Sequence, residues 1–213
     1  MSNTRSLNMQ KRRERILAQS RKVLAEQGFD ALNLRDLAEM SEVTVPTIYN
    51  LIGNKEEVLK ALMMGSFADF DAELSKHPGV SASKLPALMI ATLMDLIARN
   101  EEFYRATALA SERIENELGE GDNYGFKRVP LRKLAGSLYQ QVREEGLLRG
   151  DIAPEMLIEL VIANHQVAFR DWAHRVIPLQ KLGELSLKGF YIAFAADATD
   201  AFRKKLVELL KTL

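Results

Sequence analysis

Apolar residues recur at steps of three and four along almost the whole chain, and strand-like alternation never runs beyond a few residues. That period belongs to amphipathic helices, so the pattern predicts an all-α protein, divided by breakers into about nine helical segments. The first ends at Gly28 and turns Ile16, Ser20, Val23 and Leu24 inward. Two short helices follow, near Leu34 to Met40 and Val45 to Ile52. Asn54 opens a fourth that runs to about Leu74, with Glu57 three residues after the asparagine, as in a capping box. The stretch SKHPGVSAS reads as a loop, and GEGDNYG as a flexible connection. Further helices are predicted from about Pro86 to Ala98, from Asn100 to about Leu118, from Val129 to Glu145, from Pro154 to Val176 and from Leu179 to Leu210.

The segment from Leu34 to Ile52 carries the most specific pattern. Leu37, Val43, Ile48 and Leu51 are apolar, and Ala38 is small where a second helix has to cross a first, which is the arrangement of a helix-turn-helix. With Thr44 or Val45 as the cap, Pro46 falls in the first turn, where its missing N–H has no intrahelical partner to lose. The Thr44 hydroxyl can accept from an orphan amide of that turn. A helix that then presents Val45, Pro46, Thr47, Tyr49 and Asn50 suits a DNA major groove. Thr47 and Tyr49 can donate to phosphate, Val45 and Pro46 can touch thymine methyls, and Asn50 can read base edges or the backbone. Lys55, opening the next helix, adds a phosphate contact.

Charge sharpens this picture. The 213-residue chain has 29 Lys+Arg and 29 Asp+Glu, so its formal net charge is zero. Residues 1 to 22 nevertheless hold seven basic side chains against Glu14 alone, 7 − 1 = +6, leaving −6 for the rest. A basic end on a neutral chain points to a polyanion contact confined to that end, or else to a solvated helix start. The absence of cysteine excludes disulfides and thiolate metal sites and permits a reducing compartment. No apolar run approaches the roughly 20 residues that span a bilayer, and the N-terminus lacks the apolar core of a signal peptide. The expectation is a cytoplasmic protein without a membrane partner.

The stretch LNLRDLAEMSEVTVPTIYNLIGNKEEVLKAL resembles the DNA-binding domain of the tetracycline-repressor (TetR) family of transcriptional regulators. Ala38, Val43, the Pro-Thr-Ile-Tyr run at 46 to 49 and the Gly-Asn-Lys-Glu-Glu run at 53 to 57 carry the likeness, which is close over about residues 9 to 62. Beyond it, GLLRGDIAPE resembles the family's lead-in to the penultimate helix. The resemblance implies a DNA-binding domain over 1–53 and a ligand-sensing and dimerisation domain over 54–213. It implies that Arg35 reaches a base or phosphate, that Val45, Pro46, Thr47, Tyr49 and Asn50 face DNA, and that Lys55 holds backbone. Two positions depart from the pattern. Glu42 stands where glycine is usual in the turn, at a cost of about 1 kcal/mol for a left-handed residue, and Ile52 replaces an aromatic.

One small module offers few contacts, so a homodimer on a palindromic double-stranded operator is expected. Gly189, Ala193 and Ala196 form a stripe of small residues beside Phe190, Phe194 and Phe202, which suggests either the dimer surface or an internal core face. Dimerisation through the last helices is what the resemblance implies. Met63, Phe67, Met94, Phe103, Tyr139, His165, Phe169 and Trp172 are candidates to line a pocket for a small, largely apolar effector. His165 lies on a stripe with Leu157, Val161, Ala168 and Trp172, as a ligand contact or a satisfied core histidine. His77 and His174 show no metal-ligand spacing, and no catalytic constellation or cofactor motif appears. The expected function is a ligand-responsive transcriptional regulator, a repressor in the family's commoner mode. The alternative is a helical interaction module or enzyme of the same fold without DNA binding.

Overall fold

The computed structural model describes the backbone of residues 2–118 and 125–213, and side chains over 5–114 and 130–213. Among the described residues there are ten helices: α1 (Ser2–Gln27), α2 (Leu34–Met40), α3 (Val45–Leu51), α4 (Lys55–Leu74), α5 (Leu85–Arg99), α6 (Glu101–Leu118), α7 (Gly125–Glu144), α8 (Pro154–Ala173), α9 (Leu179–Ala195) and α10 (Asp200–Lys211). Apart from Gly125, the connection GEGDNYG lies outside the described residues. Among them no helix is long and apolar enough to cross a membrane.

The helices pack as two compact units, one of Met1–Asp69 with Asn100–Gly119, the other of Phe70–Arg99 with Glu120–Leu213. Packing therefore does not break at residue 53, because most of α4 and all of α6 join the N-terminal helices. In the first unit the spacing of three and four along α1 buries Ile16, Ser20, Val23 and Leu24. Leu37 and Ala38 of α2, Ile48 of α3, Leu59 and Leu62 of α4 and Phe103 of α6 complete that core. Arg21 binds α1 laterally, its guanidinium 4.7 Å from the Phe103 ring and 3.6 Å from the Asp69 carboxylate.

In the second unit α8 and α9 form the most extensive helix pair. Leu138, Tyr139, Leu157, Phe190, Phe194 and Phe202 lie in its core, with Phe190 and Phe194 stacked at 4.7 Å between ring centroids. This corrects the dimer-surface expectation: Gly189, Phe190, Ala193, Phe194 and Phe202 are buried inside the unit, and only Ala196 of that set is exposed. The reason is steric. Gly189 lets α8 approach so closely that a Cβ there would overlap the Asn164 side chain, and Gly183 does the same for α5, where a Cβ would sit 3.0 Å from Met94 Cγ. Small residues on α9 serve contacts within the subunit.

The helix read as continuous from Leu179 to Leu210 is broken at 196–199. The cause is Asp197, almost wholly buried, whose carboxylate accepts backbone N–H groups of Gly150 (3.0 Å), Asp151 (2.8 Å) and Ile152 (3.2 Å). Around it Arg149 N–H donates to the Asp197 carbonyl at 2.8 Å and Thr199 N–H to the Leu147 carbonyl at 2.9 Å, with an antiparallel bridge between Leu148 and Ala198. The break thus ties the α7–α8 turn to the α9–α10 turn. Asp197→Ala leaves three amides without this acceptor, so unfolding by denaturant should show a loss of about 3 kcal/mol with unchanged helix content; a midpoint within error of the parent would refute that role.

Candidate nucleic-acid interface

The turn joining α2 to α3 begins with a capped helix. The Asn33 side chain accepts the N–H groups of Arg35 (2.8 Å) and Asp36 (3.3 Å), and α2 closes with Val43 N–H donating to the Ala38 carbonyl at 2.9 Å. Ala38 is buried where the two helices meet, as its size suggested. Glu42 takes φ = 50°, the left-handed geometry for which glycine is the usual solution. Arg15 of α1 answers both costs of that residue: one guanidinium nitrogen lies 3.0 Å from the Glu42 carboxylate and another donates to the Glu42 carbonyl at 3.3 Å. The carboxylate is thereby neutralised from the α1 side.

Thr44 is the cap of α3. Its hydroxyl oxygen accepts the Thr47 N–H at 3.4 Å and shares a 2.8 Å hydrogen bond with the Thr47 hydroxyl. Pro46 lies in the first turn, as the spacing predicted. Ile48 is completely buried and Val45 and Leu51 pack against the same core. The opposite side of this single short helix is therefore free: Thr44, Pro46 and Asn50 are exposed, Thr47 is half-buried, and Tyr49 is 56% exposed.

Arg35 is exposed in the first turn of α2. Lys55 is more constrained than its sequence suggested, with Nζ donating to the Asp30 carbonyl at 3.3 Å and lying 4.3 Å from the Phe29 ring centroid. Those contacts hold the ammonium beside the start of α4, where Asn54 caps by accepting Glu57 N–H at 2.9 Å. The Arg15–Glu42 pair was not foreseen; a basic residue on the helix packed against the turn was its only signal.

The sequence pattern of bacterial regulatory proteins of the tetR family matches residues 16–62, the segment just described. Over those residues the chain carries the tetR-family pattern. No curated protein matches it. Among solved structures it is similar to a TetR-family regulator from Syntrophomonas wolfei, at 20% identity and a TM-score of 0.67 over 86% of this chain and 95% of that one. It is similar to another from a Rhodococcus species, at 17% identity and a TM-score of 0.69 over 87% and 99% of the two chains. A third is SmeT, the repressor of the Stenotrophomonas maltophilia multidrug efflux pump SmeDEF, at 20% identity and a TM-score of 0.66 over 89% and 92%. At such identities the likenesses establish the TetR-like fold.

The residues expected to line a TetR-type effector pocket divide between the units. Met63, Phe67 and Phe103 belong to the first, where Phe103 is core and Met63 Sδ accepts from the Ser111 hydroxyl at 2.9 Å. Met94, Tyr139, His165, Phe169 and Trp172 belong to the second. Tyr139 and Trp172 are core residues there. His165, Phe169 and Trp172 form a chain of rings, with centroids 5.7 and 5.2 Å apart. His165 Nδ1 is 2.9 Å from the Ser186 hydroxyl of α9, three residues beyond the glycine that faces Met94.

Burial lowers the His165 pKa from 6.5 to about 4, because desolvation disfavours the imidazolium. The unfolded chain therefore binds the extra proton first on acidification, and the stability associated with this residue is complete above pH 6.5 and lost as pH falls towards 4. Denaturant midpoints measured across that interval should fall less steeply for His165→Gln than for the parent; parallel curves would show that the ring titrates as it does in water.

Proposed function

We propose that this protein is a transcriptional repressor that binds a palindromic operator as a homodimer, and that a small, largely apolar effector tunes its DNA affinity. The observation that carries the reading is the free side of α3: a capped, seven-residue helix, anchored by Ile48, that leaves Pro46, Tyr49 and Asn50 to solvent. Tyr49 and Thr47 serve phosphates, Asn50 serves base edges, and Arg35 and Lys55 hold the flanking backbone. Repression is the mode of SmeT, to which the chain is similar. On this reading residues 1–53 bind DNA in the cytoplasm and 54–213 sense the effector and dimerise.

For the dimer surface, the corrected burial pattern favours a different set of residues. Met156, Leu160 and Val167, at steps of four and seven along α8, are 67, 52 and 52% exposed, and Ile192 of α9 is 59% exposed, with Ala196 one turn further. An apolar stripe on the two best-packed helices of the second unit supports a contact between two copies. For the effector, Met94, His165 and Phe169 are the handles, since each lies partly buried beside α9 or along the α8 ring chain. The effector acts by preferring one conformation of α4, which starts at Lys55 in the first unit and ends at Leu74 in the second. Turning a largely DNA-competent population into an incompetent one requires roughly 10⁴-fold differential affinity.

Two measurements test this. Selection from random duplexes should recover inverted repeats whose half-site centres lie about 10 base pairs, or a multiple, apart. In binding to the recovered site, Tyr49→Ala should weaken all sequences alike and Asn50→Ala should change the preference among them. Recovery of no fragment would overturn the reading. By sedimentation, Leu160→Asp with Ile192→Asp should convert a dimer to a monomer that keeps its helix content, and a persisting dimer would place the interface elsewhere.

A further inference from the structure

The face of α1 that enters the first unit's core passes through Leu24, Ser20 and Ile16, each buried. Carried towards the N-terminus by the same steps of three and four, that face continues as Arg13, Met9 and Arg5. The stripe changes from apolar to cationic where it leaves the core. Arg5, Met9, Gln10 and Arg13 there form one wall of an open groove whose other wall is Asn50 and Leu51, at the end of α3. Among the described residues neither Arg5 nor Arg13 has a hydrogen bond or ion pair, unlike Arg15 and Arg21 of the same helix.

We infer that this groove holds one sugar-phosphate strand of the duplex whose bases α3 faces, with Arg5 and Arg13 on phosphates. The inference rests on the DNA-binding reading above. Three features select a polyanionic strand over a small anion. Arg5 and Arg13 stand about 12 Å apart along the helix axis, the length over which one strand presents about three phosphates. The groove is open, and one wall comes from α3 itself, so the strand it takes is continuous with the surface that carries Asn50. Met9 and Leu51 between the charges suit the apolar edge of a deoxyribose. Two of the seven basic residues among positions 1–22 then have a defined place on DNA. α1 thereby joins α2, α3 and α4 as a DNA-contacting helix, contributing affinity without base selection.

The test uses the full chain with arginines replaced in pairs, Arg5→Ala with Arg13→Ala and Arg5→Lys with Arg13→Lys. Binding is measured against the selected fragment and a scrambled one of equal length over a potassium chloride series. The alanine pair should reduce the slope of log affinity against log salt by about 1.8 per half-site, and should weaken both fragments by the same factor. The lysine pair keeps the charge and should keep the slope. Circular dichroism confirms that each variant is folded. An unchanged slope for the alanine pair, a loss confined to the selected fragment, or a slope lost by the lysine pair would overturn the assignment while leaving the repressor reading intact. Should the parent bind neither fragment in a salt-dependent manner, the DNA-binding reading itself fails, and the groove assignment with it.

Discussion

Burial of Ile48 is the constraint on which the interface depends. A seven-residue helix is far too short to hold together on its own, because its first turn fixes about six dihedrals for a single hydrogen bond and the few residues that follow add too few bonds to offset that entropy. α3 exists because Ile48 is withdrawn completely from water into a core supplied by α1, α2, α4 and α6, and because Thr44 and Pro46 leave its first turn with few orphan donors. Anchoring one side of so narrow a rod determines what the other side can do. Thr44, Pro46, Tyr49 and Asn50 are presented to solvent in a rigid frame, at the cost of one left-handed glutamate held by Arg15.

The same logic of close contact governs the second unit, with different residues. Gly183 and Gly189 remove the side chains that would keep α5 and α8 away from α9, and the aromatic residues Phe190, Phe194 and Phe202 fill the space around that approach. Asp197 then uses three amides of the turn before α8 to end α9 where its apolar pattern would have continued. A single buried carboxylate thus does what a glycine or proline commonly does. With one side of α9 committed to the interior, Met156, Leu160 and Val167 of α8 and Ile192 of α9 are the apolar residues left exposed on the outward sides of the pair.

The two halves of the chain differ in how directly chemistry follows from position. In the first unit, short helices and tight turns leave each residue few alternatives, so a threonine cap, a first-turn proline and a small crossing residue announce their roles. In the second, long helices present several faces, and an apolar stripe can meet another helix of the same subunit, another subunit or a ligand.

The local pattern by itself determined the all-helical class, the positions of α2, α3 and α4, the cap at Asn54, that of α3 to within one residue, and the exposure of Tyr49 and Asn50, because these follow from period, capping chemistry and the narrowness of a short helix. Only the tertiary structure decided that Gly189 meets α8 and that its aromatic neighbours lie in the core of their own unit, that Asp197 interrupts the last helix, and that Arg15 offsets Glu42. Each of those depends on which distant segment arrives at a given face, and spacing along one helix carries no record of its neighbour.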